Sequence, residues 1–148
     1  MSKPLYTSAE IATATGGTAS CEFSVTGISN DTRTLQKGDL YVAIAGENFD
    51  GHKFCEAAMQ AGAAGCLVST YIAGEIPHIR VDDTLIALEA LAAHARDRAT
   101  NCQRVAITGS VGKTSTKEMI AKIFAAAGKA HWPEQSFNNQ IGTALTLA

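Results

Sequence analysis

The residues best suited to chemistry in this 148-residue chain are Gly109-Ser110-Val111-Gly112-Lys113-Thr114-Ser115. They follow a short apolar stretch, Arg104-Val105-Ala106-Ile107-Thr108, which reads as a strand. A helical pattern then runs to about Ala127, with Met119, Ile120, Ile123 and Phe124 on one face and Gly128 as its stop. Strand, glycine loop, Lys-Thr and helix together make a phosphate cradle. Glycines let backbone N–H groups close around phosphate oxygens, at a helix N-terminus that already favours negative charge. Lys113 would place a point charge on the terminal phosphates, and the Thr114 hydroxyl is a suitable oxygen ligand for Mg²⁺. The match to the full Walker A pattern is incomplete, because Ile107 stands five positions before Gly112 where that pattern has Gly. The plainer reading is a glycine turn before an ordinary amphipathic helix with Lys113 solvated. The strand and helix on either side favour nucleotide binding.

The elements that must hold this loop can be read from pattern and punctuation. Thr7-Ser8-Ala9-Glu10 is a capping box opening a short helix that stops at Gly16-Gly17. Ser20 to Ile28 reads as a strand, Ser29 to Arg33 as a loop, and Leu40 to Ala45 as a short buried strand. After the loop Gly46 to His52 come a helix from Phe54 to about Ala63, a strand at Cys66–Ser69 and another at Ile79–Val81. Asp82-Asp83-Thr84 caps an amphipathic helix through about Arg98, with Leu85, Leu88, Leu91, Ala92 and Ala95 on one face. Strands alternating with helices define an α/β fold. The one linker-like stretch, Ala99 to Gln103, divides residues 1–102 from residues 103–148.

Composition removes several classes of function. The chain is 46% hydrophobic and 18% charged, with 12 Lys+Arg against 14 Asp+Glu and a net charge of −2. It lacks the basic stripe of a nucleic-acid binder and the polybasic patch of a membrane-surface module, and it is too apolar for disorder. Cys21, Cys55, Cys66 and Cys102 form no CxxC pair, and His52, His78, His94 and His131 form no short ligand pair. Free thiols in a reducing cytosol are expected, with no metal held by His or Cys. The N-terminus lacks the apolar core of a signal peptide, and no apolar run approaches the ~18 residues of a membrane span.

Thr108 to Met119 resembles the ATP loop of the Mur ligases, and three further segments are similar to that family in the same order. They are Ile28-Ser29-Asn30-Asp31-Thr32-Arg33 leading to Gly38-Asp39-Leu40-Tyr41-Val42-Ala43, then Gly46 to Phe54, then Phe137-Asn138-Asn139-Gln140-Ile141-Gly142 with Leu145-Thr146-Leu147. The Asn-Asn-x-Ile-Gly segment resembles the subgroup that adds D-alanyl-D-alanine, as distinct from the ligases that add the third amino acid. Gly142-Thr143-Ala144-Leu145 departs from the family's Gly-Val-Pro-Leu.

The resemblance implies a three-domain, cytoplasmic, ATP- and Mg²⁺-dependent ligase of peptidoglycan biosynthesis, with UDP-N-acetylmuramoyl-tripeptide and D-alanyl-D-alanine as substrates. Residues 1–102 would form a small N-terminal α/β domain for the UDP-sugar. Residues 103–148 would supply the first strand–P-loop–helix unit of a truncated central ATPase domain. By the same resemblance Lys113 and Thr114 are the catalytic residues, Thr114 is the metal ligand, and Gly109, Ser110, Val111, Gly112 and Ser115 complete the ATP site. Ser29, Asp31, Thr32 and Arg33 fall where the family meets its nucleotide-sugar, and Asn138 and Asn139 where substrate crosses the domain cleft.

Each has a structural alternative. Asp31 could cap a turn and pair with Arg33, and the two Asn could cap a helix beginning near Ile141. Asp50 reads as a turn cap, and His52 stays open between a substrate-facing loop and a structural turn. His131-Trp132-Pro133 reads as the end of a short strand with no assigned chemistry, and His78 and His94 read as structural or solvated. The chain by itself is expected to be catalytically incomplete. A non-catalytic binding or dimerising module is the alternative, and an unrelated small P-loop NTPase or kinase is the weakest fit. About 45 residues cannot easily bury a core, so residues 104–148 are expected to dock on residues 1–102 or on a second copy, burying Ile120, Ile123 and Phe124.

Overall fold

The computed structural model describes residues 4–46, 49–72, 74–133 and 140–148. The capping box forms as the Thr7–Glu10 spacing requires. Thr7 Oγ1 accepts the Glu10 N–H at 3.3 Å while Glu10 Oε2 accepts the Thr7 N–H at 2.7 Å. That reciprocal pair satisfies donors at the start of α1 (Ser8–Thr15), which ends at Gly16.

Five strands form the main sheet: β2 (Thr18–Ala19), β4 (Gly27–Ser29), β5 (Asp39–Val42), β6 (Gly65–Val68) and β7 (His78–Arg80). Their spatial order is β2-β7-β6-β5-β4, with β4 to β7 parallel and β2 antiparallel at one edge. A separate two-stranded ladder pairs β1 (Tyr6–Thr7) with β3 (Ser24–Val25). The strand predicted over Ser20 to Ile28 is thus two short strands in different sheets. The Thr26 N–H bonds to the Gly38 carbonyl at 2.9 Å, marking where the chain passes from one sheet to the other.

A 3₁₀ turn (Gly51–Phe54) leads into α2 (Cys55–Ala61), and α3 (Thr84–Arg98) follows β7. Alternate strand residues enter opposite cores, because successive side chains on a strand point to opposite faces. Leu40, Val42, Leu67 and Ile79 join Ile11 of α1 with Leu88 and Leu91 of α3. Tyr41, Cys66 and Val68 join Leu35 and, from α2, Cys55 and Ala58. The result is a sheet covered on both faces. α3 starts as predicted, with Asp83 Oδ1 accepting the N–H groups of Leu85 (2.7 Å) and Ile86 (3.0 Å).

The second part of the chain corrects three expectations. Residues 104–108 form no strand, because a strand exists only through a ladder partner and none of the described residues provides one. His131–Pro133 likewise forms no ladder. The helices are as predicted: α4 (Lys113–Ala127) and α5 (Gln140–Leu147). Docking does occur, but through α5. Ala144 is buried in the α1/α3 core, with Ile141, Leu145 and Ala148 packed against it. Ile123 and Phe124 of α4 remain 68% and 38% exposed, contrary to the expectation that α4 would be the buried element. Among the described residues no helix is long and apolar enough to cross a membrane.

Leu88 is fully buried between α3 and the sheet. Leu88→Ala should therefore cost about 2–5 kcal/mol in urea unfolding, through lost burial plus a cavity. Ile86→Ala, on the exposed side of the same helix, should change stability by less than about 0.5 kcal/mol.

Candidate functional site

Two loops and one cleft gather the polar groups of interest. In the first loop, Gly112 is the N-cap of α4 with φ 78°, a conformation that L side chains rarely adopt. A Cβ there would meet nothing within 4 Å, so backbone shape and not space requires glycine. A glycine cap offers no side chain to the N–H groups of the first turn. Those donors and the helix dipole point outward from an exposed loop, the arrangement that receives an anion. The Lys113 ammonium lies over the loop and donates to the Gly109 carbonyl. The Gly112 carbonyl accepts from Thr116 N (3.0 Å) and Thr116 Oγ1 (2.9 Å), which fixes the start of the helix. Ser110, Val111, Thr114 and Ser115 are exposed around this cradle. Its cation, outward N–H groups and hydroxyl oxygens are groups suited to a phosphate chain.

The second loop follows β4. Ser29 is 91% buried, and its Oγ accepts the Asp31 N–H at 3.2 Å and donates to the Asp31 carbonyl at 3.1 Å. Asp31 caps the turn through the Arg33 N–H (2.9 Å) and grips the Arg33 guanidinium from Nε (2.9 Å) and one Nη (2.6 Å). The Arg33 side chain holds the Asp31 carboxyl down at about 2. The structural alternative for these two residues is therefore the geometry seen here. Arg33 remains 87% exposed, so its fork is still presented to solvent. Thr32 sits beside it, half-buried.

The open question at His52 is settled by its partners. Ser69 N–H donates to His52 Nε2 at 3.0 Å, so that nitrogen carries no proton and Nδ1–H faces Asp50 Oδ1 at 2.7 Å. Asp50 also caps the 3₁₀ turn by accepting the His52 N–H at 3.0 Å. The bonds from His52 hold the Asp50 carboxyl below its ordinary range. With its side chain 6% exposed, His52 is a strut tying the turn before α2 to the end of β6. At the same turn a Cβ on Gly51 would lie 2.7 Å from the Ile44 carbonyl oxygen, so the two backbones pack too closely for any side chain.

Between the Ser29 loop, residues 130–133 and α5 lies a cleft of about 590 Å³. It is lined by Ser29, Asn30 and Thr34, by His131, Trp132 and Pro133, and by Leu145 and Thr146 of α5. Lys117 Nζ, paired with Glu118, donates to the Pro133 carbonyl at 2.6 Å and ties this wall to α4. Asn138 and Asn139 lie outside the described residues. Asn30, Thr34 and Trp132 did not stand out in the sequence. The available signal was a lone Trp beside Pro outside any apolar periodicity. A second concavity of about 430 Å³, with Arg80 and Asp82, lies at the opposite, β2 edge of the sheet. Among the described residues no group of three or more His, Cys, Asp or Glu could hold a metal ion, and all four cysteines are free.

The chain belongs to the Mur ligase family. The model of that family's catalytic domain matches residues 24–126, and the model of the Mur ligase middle domain matches residues 107–148. Among its relatives is the UDP-N-acetylmuramoyl-tripeptide–D-alanyl-D-alanine ligase of Synechocystis sp., 40% identical over 140 residues, which cover 86% of this chain and 31% of that protein. The enzyme of the same name from Escherichia coli is 40% identical over 126 residues, 85% of this chain and 28% of that protein. A crystal structure of MurF from Acinetobacter baumannii superposes with a TM-score of 0.84 at 30% identity, over 98% of this chain and 33% of that one. The chain thus spans about a third of the length of the curated relatives it matches.

Two expectations follow from the side-chain partners. His52→Ala leaves the Ser69 N–H without its acceptor and should cost about 1–3 kcal/mol in chemical denaturation. Asp31 has a folded value of about 2, below the ~3.9 of an unfolded carboxyl. Its contribution is therefore present above about pH 4 and lost as pH falls through 2. Solvent screening of the exposed pair keeps it under about 1 kcal/mol. Unfolding of wild type and Asp31→Asn across that range should show a small gap at neutral pH that closes in acid.

Proposed function

We propose that this chain is the N-terminal portion of a cytoplasmic, ATP-dependent ligase that joins D-alanyl-D-alanine to UDP-N-acetylmuramoyl-tripeptide. The single observation that carries this reading is the Gly112–Lys113–Thr114 cradle at the start of α4, in a chain about 40% identical to ligases of that name. Residues 1–102 hold the nucleotide-sugar, and residues 103–148 begin the ATP-binding domain. Free thiols throughout support a reducing compartment.

Lys113 would hold the terminal phosphates, where its charge would offset what accumulates during transfer. Gly109 to Gly112 and Ser115 present backbone donors to the remaining phosphate oxygens. The Thr114 hydroxyl would be the protein's oxygen ligand for Mg²⁺. When bound, ATP supplies the phosphoryl group that converts the tripeptide's terminal carboxylate to an acyl phosphate with release of ADP. The dipeptide amine then forms the amide as phosphate leaves. Ser29, Thr32 and Arg33 orient the nucleotide-sugar, with the exposed Arg33 fork suited to a diphosphate and Asp31 holding that fork in place. Asn138 and Asn139 are proposed to meet substrate at the cleft.

Calorimetry of the chain with Mg²⁺-ATP, before and after Lys113→Ala, tests the cradle. Losing a charge-assisted contact worth about 1.5–3 kcal/mol should weaken binding at least tenfold. Equal binding by both proteins overturns the ATP-site assignment. Titration with UDP-N-acetylmuramoyl-tripeptide tests the other half, and no heat at millimolar ligand overturns it.

A further inference from the structure

The cavity of about 430 Å³ at the β2 edge of the sheet shares no residue with the phosphate cradle or the Ser29 loop. β2 pairs with β7 so that Thr18 stands opposite Arg80 and Ala19 opposite Ile79. Ala19 and Ile79 face the α1/α3 core, so Thr18, His78 and Arg80 lie on the other face of the sheet. The apolar cluster under α2 includes no residue of β2 or β7, which leaves this strip to polar side chains.

Arg80 and Asp82 both line the cavity, yet among the described residues neither side chain has a hydrogen bond or an ion pair. These opposite charges stand two positions apart, about 7 Å along an extended chain, and do not pair with each other. α1 reaches the cavity through its C-terminal cap, Gly16. The next residue, Gly17, is set against the end of β7, where a Cβ on it would lie 2.7 Å from the Arg80 carbonyl oxygen. A carboxylate and a helix C-terminus both favour a cation. Farther along the ladder, Ser20 Oγ accepts the His78 N–H at 2.9 Å, and His78 Nδ1–H donates to the Ile76 carbonyl at 2.8 Å. His78 Nε2 has no partner among the described residues.

A cavity that holds an unpaired carboxylate and an unpaired guanidinium is complementary to a molecule carrying both charges. We propose that it binds a short zwitterionic peptide, with the ammonium at Asp82 and the Gly16 end of α1 and the carboxylate at Arg80. The guanidinium fork matches a carboxylate bidentately. Length selects a dipeptide, whose amine and terminal carboxyl carbon stand about 6 Å apart when extended, against about 2.5 Å in a single amino acid. The Thr18 and Ser20 hydroxyls and His78 Nε2 supply hydrogen-bonding capacity for the peptide group between the two ends. Every residue of the site lies within residues 1–102, so it stands independently of the ATP and nucleotide-sugar assignments.

The 148-residue chain, labelled with nitrogen-15, is titrated with alanyl-alanine in its L,L and D,D forms. The N-acetylated dipeptide, the dipeptide amide and free alanine are titrated alongside. The free dipeptide in at least one form should shift the amides of Thr18, Arg80 and Asp82 saturably at millimolar concentration. The acetylated, amidated and single-residue ligands should bind at least tenfold more weakly. Arg80→Ala and Asp82→Asn should each weaken the dipeptide tenfold or more, the scale of one charge-assisted hydrogen bond, and Arg80→Lys should keep part of the affinity. Both side chains are exposed, so unchanged urea midpoints separate loss of binding from loss of folding.

Equal binding of the acetylated dipeptide makes the cavity a plain anion site and overturns the proposal, as does equal binding of the amide. Dipeptide shifts that survive both Arg80→Ala and Asp82→Asn overturn it too. So does the absence of any saturable shift at millimolar dipeptide.

Discussion

Everything in this molecule depends on a parallel sheet that must be covered on both faces. β5 is buried at all four positions and β6 at all four as well, so neither strand can be placed without a helix layer on each side. α1 and α3 supply one layer and α2 the other. Parallel strands also leave by the same end, so the loops after β4, β5 and β6 emerge together. That common exit is why the Ser29–Arg33 loop, the turn at Asp50–His52 and Ser69 belong to one end of the domain. Thr84 adds a tie from α3, donating its hydroxyl to the buried Ala43 carbonyl at 2.9 Å.

At this end, polar residues divide between holding and presenting. Asp50, His52 and Ser69 spend their hydrogen-bonding capacity on one another, which fixes the entry to α2. Asp31 spends its carboxylate on its own turn and on Arg33, leaving the guanidinium exposed but held. Asn30, Trp132 and the glycine-capped start of α4 are on the presenting side. A binding surface is made of such groups, whose capacity the fold has not consumed.

The two parts of the chain are joined by packing as well as by sequence. α5 inserts Ala144 into the α1/α3 core, while α4 keeps Met119 and Ile123 outward and contacts the rest through Lys117 and the 130–133 wall. The cleft exists because α5 and residues 130–133 are brought against the Ser29 loop by that docking. The small side chain at 144, where the family's usual pattern has Pro, lets a regular helix approach α3 closely. Unlike the phosphate cradle, which lies wholly within the second part, the cleft needs both parts of the chain: one presents the Ser29 loop, the other Trp132.

Local patterns were legible because their causes are local. The Thr7–Glu10 capping box, the Asp83 cap and the α3 apolar face are short-range arrangements that declare themselves in sequence. So do Gly109 to Thr114, since a positive φ at Gly112 and a cation one residue later depend only on adjacent residues. The fold class followed from the order of elements. The break of Ser20–Ile28 into strands of two sheets, and the missing ladder at 104–108, did not follow, because pairing is a property of partners and not of the strand itself. Likewise, nothing local assigns His52 to Ser69, α5 to α3, or Trp132 to the cleft that Asn30 also lines. Those contacts join residues far apart in the chain, and only tertiary packing decides which distant surfaces meet.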